Sequence, residues 1–473
     1  MKRFKKWFNT PFGRVCGSVA IVVVLAVLAF TGFAAYWVST SGLLTSGAYV
    51  CASNAGTVHL NMAKIFHGVY GDRVGWCDGT DDQAEIQSAI DTLTLGGRLV
   101  LSSGTFTVNQ TSIGKQAIIP DVNKFKISGQ GASTIIRAAA GFNGTIIGSN
   151  CTDALRYQMV IADLFIDGNK ANQATQGYGI NMTGWNDSRI VNVNVWNVKT
   201  DGIYANGTDN TSTGNRITNS TISACNGSGV YYTFCYGWTI ADSWVGSCSV
   251  AGIRASGGGE ASIDNTIIDQ CARGIYIYGT DELRISNSPY IGANTKCGID
   301  IDHTAYDVTV TNCLIQKNGS DNTNPCGISV GASTRRTKIL GNTINDEGLT
   351  YQDYGIKIAS GANQTMIHDN NLLGNYVAAI LDSGAVNESI QSNMGWITEL
   401  EGSSSIASGD TTKVVTHGLS ATPTYVWIAF KEQGTADYGR WWVSSVNATA
   451  FTLNVSADPG ASNLDFYWRC LVR

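Results

Sequence analysis

Arg216-Ile217-Thr218-Asn219-Ser220-Thr221-Ile222 alternates polar and apolar residues over a strand's length, and it stands between two copies of a second signal, Gly202-Ile203 and Gly229-Val230. The period decides the fold. A small residue followed by an aliphatic recurs at Ile180, Ile203, Val230, Ile253, Ile275, Ile299, Ile328, Ile356 and Ile380, eight steps over 200 residues. An Asn or Asp recurs in phase at Asn194, Asn219, Asp242, Asn265, Asn287, Asn312, Asn342, Asn370 and Asn393, eight steps over 199 residues. A unit of about 25 residues is too short to bury its own apolar face, so units that keep register over nine repeats must supply each other's core. The runs within each unit have strand length and strand alternation, with no helix-length window. The chain is therefore expected to be all-β, a parallel β-solenoid with the ladder aliphatics pointing inward. The ladder Asn is expected at a turn, in the left-handed conformation that Asn tolerates, with its amide bonded to the next coil. Cys225, Cys248 and Cys271, spaced 23 residues apart, should stack about 4.8 Å apart on consecutive coils.

Composition agrees with many short strands joined by tight turns. Gly contributes 54 residues, Pro only 6, and 14% of the chain is charged, which excludes a disordered polyelectrolyte, a coiled coil and a collagen-like stalk. Net charge is −5, but residues 1–14 carry Lys2, Arg3, Lys5, Lys6 and Arg14 and no acid, so the rest carries −10. Nucleic acid is a poor partner for that remainder. Val15 to Val38 holds 24 residues without a charge, enough for a helix to cross about 30 Å of hydrocarbon. The reading is a cytoplasmic tail (1–14), a transmembrane anchor (15–38), a linker (39–70) and an extracellular remainder, with a cleaved signal peptide ending near Gly32 to Ala34 as the competitor. Eleven of the twelve cysteines follow the apolar span, so some disulfides are expected, with Cys51 and Cys77 placed to staple the entry. Fourteen Asn-x-Ser/Thr sequons suit an exported glycoprotein.

Asp82 and Glu85 can form a capping box for a helix over 82–95, with Ile86, Ala89, Ile90 and Leu93 on one face and Gly96-Gly97 as its stop. The stretch Asp78-Gly79-Thr80-Asp81-Asp82, the Ala-Ile helix, Gly96-Gly97 and Leu99 to Val108 together resemble the opening motif of the pectate-lyase-like superfamily. Leu164-Phe165-Ile166-Asp167-Gly168-Asn169 recurs in the same group. The resemblance spans residues 71–396 and implies a right-handed parallel β-helix capped by that helix. It does not single out one activity, since the superfamily includes hydrolases, lyases, epimerases and phage tailspikes.

After Trp396 the period stops. Glu401-Gly402-Ser403-Ser404-Ser405 reads as a linker, and five alternating segments follow, Lys413 to Thr416, Tyr425 to Phe430, Arg440 to Val446, Phe451 to Val455 and Leu464 to Arg469. Residues 397–473 thus read as a small antiparallel β-sandwich. Thr416-His417-Gly418-Leu419 and Asp465-Phe466-Tyr467-Trp468-Arg469 resemble modules of phage tail and surface-spike proteins, which implies trimerisation or receptor binding. His417 reads as a turn or cap residue.

If each ladder aliphatic faces inward, alternation turns its successors outward: Tyr204 and Asn206, Tyr231 and Thr233, Arg254 and Ser256, Tyr276 and Tyr278, Asp300 and Asp302, then Ser329 and Lys357. Aromatic rings beside carboxylates suit a carbohydrate groove, with Tyr204, Tyr231, Arg254, Tyr276 and Tyr278 as substrate-binding residues. Asp300 and Asp302 share one strand face at about 6.5–7 Å, a separation that fits an inverting glycosidase. A solvated pair or a weak Ca²⁺ site is the competing reading, and no other cofactor is called for. By resemblance to the polygalacturonase branch, Lys199-Thr200-Asp201-Gly202-Ile203 places Asp201 in a catalytic turn. That branch's Asp-Asp pair and Gly-His-Gly are replaced here by Ser228-Gly229-Val230 and Ala251-Gly252-Ile253. The functional expectation is a membrane-anchored, extracellular protein that binds surface polysaccharide and either cleaves it or serves as a non-catalytic spike, adhesin or structural protein, with a homotrimer implied by the C-terminal resemblance.

Overall fold

The structure is a computed structural model that describes residues 47–112, 114–149, 155–175, 177–208, 212–322, 325–431 and 439–472. The basic tail, the uncharged span Val15–Val38, Cys16 and Cys151 lie outside the described residues. Among the described residues no helix is long and apolar enough to cross a membrane. Two compact units divide the chain, one up to Val195 and one from Trp196.

The first unit begins with a difference from the sequence reading. Residues 47–70, expected as linker, form strand Gly47–Cys51 and helix Thr57–Tyr70. The strand pairs in parallel with both Val74–Trp76 and Gly97–Leu101. Tyr49, Cys51, Ala63, Val74 and Val100 make a buried cluster against which Leu60, Phe66, Tyr70 and Trp76 pack. The second helix spans Gln83–Asp91 and buries Ile86, Ala89 and Ile90. Its expected capping box does not form. Asp82 instead accepts hydrogen bonds from the Gly79 N–H at 2.8 Å and the Thr107 N–H at 2.6 Å, so it ties the turn before the helix to a strand.

The second unit is a stack of parallel coils. The ladder pairs residue by residue, Ile203 with Val230, then Ile253, Ile275, Ile299, Ile328, Ile356 and Ile380. All of these are buried. In the first unit Ile180 pairs in the same way with Ile147. Each coil from Arg216 onward adds short strands such as Arg216–Thr218 and Thr221–Ser223 that pair with their counterparts one coil on.

The Asn ladder splits. Asn219, Asp242, Asn265, Asn287 and Asn312 are left-handed, with φ between 43° and 53°, and Asn265 Nδ2 reaches Asp242 Oδ1 at 2.7 Å. In the later coils the left-handed position belongs to Gly341, Asp369 and Ser392. Asn342, Asn370 and Asn393 sit one residue further on and are buried as a stack, with Nδ2 of Asn342 donating to Asn370 Oδ1 at 3.0 Å and Nδ2 of Asn370 donating to Asn393 Oδ1 at 2.9 Å. Asn194 lies within strand Arg189–Trp196, where the left-handed residue is Asn192.

The expected disulfides do not form: the ten described cysteines are free and buried. Cys77 N–H donates to Cys51 O, while the Cys51 thiol donates to Ala52 O and the Cys77 thiol to Asp82 O. Cys225, Cys248 and Cys271 each donate to the carbonyl two residues earlier, and Cys271 Sγ accepts the Cys248 N–H of the neighbouring coil at 3.4 Å. Two sequon asparagines, Asn186 and Asn318, are buried.

The last residues form two antiparallel three-stranded sheets. One joins Glu399–Ile406, Leu464–Leu471 and Tyr425–Phe430; the other joins Thr412–Thr416, Ala450–Val455 and Trp441–Ser444. Glu401 to Ser405, expected as linker, belongs to the first of these strands, because each residue is paired with Leu464–Leu471. Between the sheets Phe451, Leu453, Phe466, Trp468 and Cys470 form the core. Buried His417 accepts the Leu419 N–H at Nδ1 and faces Asn447 O through Nε2, which assigns it a structural role.

Candidate functional site

Register along the ladder strands places the outward residues in two rows that run across the coils of the second unit. The first row is Tyr204, Tyr231, Arg254, Tyr276, Asp300, Ser329 and Lys357; the second is Asn206, Thr233, Ser256, Tyr278 and Asp302. All twelve outward residues expected from the sequence on these strands therefore fall in these two rows. Asp201 lies in the turn that enters the first of these strands.

The aromatic part is continuous. Tyr204 and Tyr231 meet edge to face with centroids 5.4 Å apart, and the Arg254 guanidinium lies 4.4 Å from the Tyr231 centroid and 5.8 Å from that of Tyr276. Tyr276 and Tyr278 are 6.1 Å apart, and the His303 ring closes on Tyr278 at 4.1 Å. None of these rings belongs to the buried core, so their edges and faces border the surface. Rings held by neighbours at such distances present a rigid apolar strip that costs little entropy to use.

The acidic part is less symmetric than its spacing suggests. Asp300 is 8% exposed and forms an ion pair with Arg273 Nε at 2.8 Å. Burial pushes its carboxyl above the ordinary range, while Arg273 pulls it back. Asp302 stays partly exposed and accepts the His303 N–H at 2.7 Å. The pair thus holds one sequestered, ion-paired acid and one open acid. No third His, Cys or acid joins them at metal-ligand range among the described residues. Asp201 is also raised by burial, and its Oδ1 accepts the Ser228 N–H of the next coil at 2.6 Å, the work of a coil-bridging turn residue.

Arg273 is the groove residue that alternation missed. It precedes Ile275 by two, which puts it inward on a regular strand, yet its guanidinium stacks 4.7 Å from the Tyr276 centroid. Gly274 is the signal: a Cβ there would meet Gly298 O at 2.4 Å, and Gly274 and Ile275 are both buried in succession, so the period of two begins only after them.

One other cluster has metal-ligand character, Cys77, Asp82 and Glu85 in the first unit. Burial pushes the Cys77 thiol strongly up, and both Asp82 oxygens already accept backbone N–H groups. That set is a packed turn.

The model of the family described as right handed beta helix region matches residues 106–258 and 211–372. Comparison with curated proteins gives no match. Among solved structures, the mannuronan C-5 epimerase A-module of Azotobacter vinelandii is 16% identical with a TM-score of 0.53, covering 67% of this chain and 95% of that one. The tailspike protein gp49 of Pseudomonas phage LKA1 is 13% identical with a TM-score of 0.53, covering 82% and 92%. The catalytic unit of a GH87 α-1,3-glucanase from Streptomyces thermodiastaticus is 13% identical with a TM-score of 0.50, covering 67% and 66%. At these identities the likeness is one of fold.

Proposed function

The chain belongs to the right-handed β-helix family, and on that premise we propose that it binds a polysaccharide laid across its coils on the face of Tyr204, Tyr231, Tyr276 and Tyr278. The observation that carries the reading is the register: each coil adds a residue to each of two adjacent rows, with Tyr204, Tyr231 and Tyr276 in the first and Tyr278 in the second. A step of about 4.8 Å per coil lets successive sugar faces meet successive rings. The named chemistry of two structural neighbours, a mannuronan epimerase and an α-1,3-glucanase, is consistent with polysaccharide as the ligand class.

Binding without cleavage is the form we favour. An inverting pair needs both carboxyls open to the substrate, one to donate a proton and one to activate water, and Asp300 is buried and committed to Arg273. Asp300 then shapes the groove by fixing Arg273, and Asp302 accepts sugar hydroxyls. Asp201, held by Ser228, stays outside the groove chemistry. The proposal keeps residues 1–14 cytoplasmic, Val15–Val38 as a membrane anchor and the remainder outside, with residues 397–473 joining three copies. Release of the solenoid by protease added to intact cells, as a trimer by sedimentation, is the expected result; a monomer free in the medium would overturn this arrangement.

The decisive experiment is a panel of neutral and acidic polysaccharides tested for binding and for reducing-end release. The expected result is saturable binding with no reducing ends. Reducing ends that disappear in Asp302→Asn would reinstate cleavage, and no binding across the panel would sink the reading.

A further inference from the structure

Resting on that reading, we infer that the groove selects a glycan in which a carboxylate-bearing sugar is flanked by neutral sugars, with Arg254 holding the carboxylate. Arg254 stands in the middle of the first row, between the rings of Tyr231 and Tyr276, and among the described residues makes neither an ion pair nor a hydrogen bond; its Nε is buried without an acceptor. A buried guanidinium N–H left unsatisfied is costly. The other groove guanidinium, Arg273, is neutralised by Asp300. The acid whose field reaches Arg254 is Asp201, but Asp201 spends Oδ1 on the Ser228 N–H and forms no ion pair. A planar fork of donors held between two rings and without an ion-pair partner among the described residues is matched by a carboxylate.

The sign of the field then reverses. Burial first, and next the charges of Asp302 and Asp300, push the Tyr276 phenol up, although Tyr276 is only one coil beyond Arg254. One coil further, Asp302 forms no ion pair and lies partly exposed beside Tyr278. If the glycan advances about one sugar per coil of ~4.8 Å, an acid on every sugar would bring a second carboxylate against Asp302. Like charges at that range repel. A neutral sugar there offers hydroxyl donors to Asp302 instead. The arrangement therefore favours mixed charge over both a neutral chain and a chain acidic at every unit.

Three probes test this with the purified full-length chain: neutral cello-oligosaccharides, oligogalacturonates acidic at every unit, and hyaluronan oligosaccharides in which glucuronate alternates with N-acetylglucosamine. The alternating probe is expected to bind most tightly. Arg254→Gln should weaken it by about tenfold to a hundredfold, the worth of a charge-assisted hydrogen bond, and weaken the neutral probe far less. Asp302→Asn should strengthen oligogalacturonate binding. If the neutral probe binds as tightly as the alternating one, or if Arg254→Gln weakens all three equally, the selection for charge is wrong while polysaccharide binding stands. If none of the three binds, polysaccharide binding falls with it.

Discussion

Along one inner line of the second unit, the earlier coils carry thiols and the later coils carry amides at corresponding positions. Cys225, Cys248 and Cys271 are followed by Asn294, Asn318, Gln352 and Asn375. The backbone asks the same of both: Cys248 N–H donates to Cys271 Sγ at 3.4 Å, Cys271 N–H donates to Asn294 Oδ1 at 2.9 Å, and Asn294 N–H donates to Asn318 Oδ1 at 3.3 Å. What differs is the return bond. An amide both accepts and donates, so Asn294 Nδ2 reaches Asn318 Oδ1 at 2.9 Å and Asn318 Nδ2 reaches Gln352 Oε1 at 3.2 Å, a chain of side-chain bonds from coil to coil. Each thiol donates within its own coil, to the carbonyl two residues earlier. Stacked coils can therefore be linked by weak contacts to sulfur or by a ladder of amide bonds, and the ladder ties each amide more strongly to its neighbours.

Substitution separates the two kinds of stack. Asn318→Ala removes the acceptor of Asn294 Nδ2 and Nδ2 donors to Gln352 Oε1 and Ile291 O, leaving buried polar groups unsatisfied. A loss of about 3 kcal/mol or more is expected. Cys248→Ala removes one buried sulfur and a weak bond, and about 1 kcal/mol is expected. Urea unfolding of both variants checks the order; equal losses would mean that the amide ladder is no stronger than the thiol stack.

The groove row supplies the next effect in size. Tyr276→Ala should raise the dissociation constant for a bound oligosaccharide by about twofold to tenfold, since a ring contact contributes about 0.5–1.5 kcal/mol beyond its area. Isothermal titration against the tightest-binding probe measures it. An unchanged constant would place the glycan off this row.

The smallest effect lies in the final coils, where burial and then Asp382 push Glu388 up to about 7. The sign follows from proton counting. Between an unfolded glutamate's pKa of about 4.3 and about 7 the folded chain holds a proton that the unfolded chain has lost. Stability should then fall as pH rises through that window. Thermal melts from pH 5 to 8 should show the decline in the native chain and a flatter profile in Glu388→Gln; identical profiles would remove Glu388 as its cause.

Much of this was legible from residue order. The inward ladder pairs as its period requires, and strand Tyr425–Phe430 has the bounds that alternation gives it. The helix Thr57–Tyr70 escaped because its neighbourhood matched no repeat, although Leu60, Ala63 and Phe66 carry a helical spacing. The strand Glu399–Ile406 escaped because Glu-Gly-Ser-Ser-Ser has the composition of a linker and is held as a strand by its partner.

Sequence by itself determined the coil length, the inward aliphatics and the outward row, because these follow from periods of about 25 and of 2 that the chain repeats. Tertiary structure decided which charges meet. Arg273 and Asp300 stand 27 residues apart, and the break in alternation at Gly274-Ile275 puts that guanidinium against Asp300 and Tyr276, leaving Arg254 as the unpaired one. It also decided where the Asn ladder slips, since Asn342 and Asn370 gain buried partners one residue beyond the turn while Gly341 and Asp369 take the left-handed position. Local pattern fixes a residue's face within its own strand. Its partners lie a whole coil away, where period alone cannot see a one-residue shift or a turned corner.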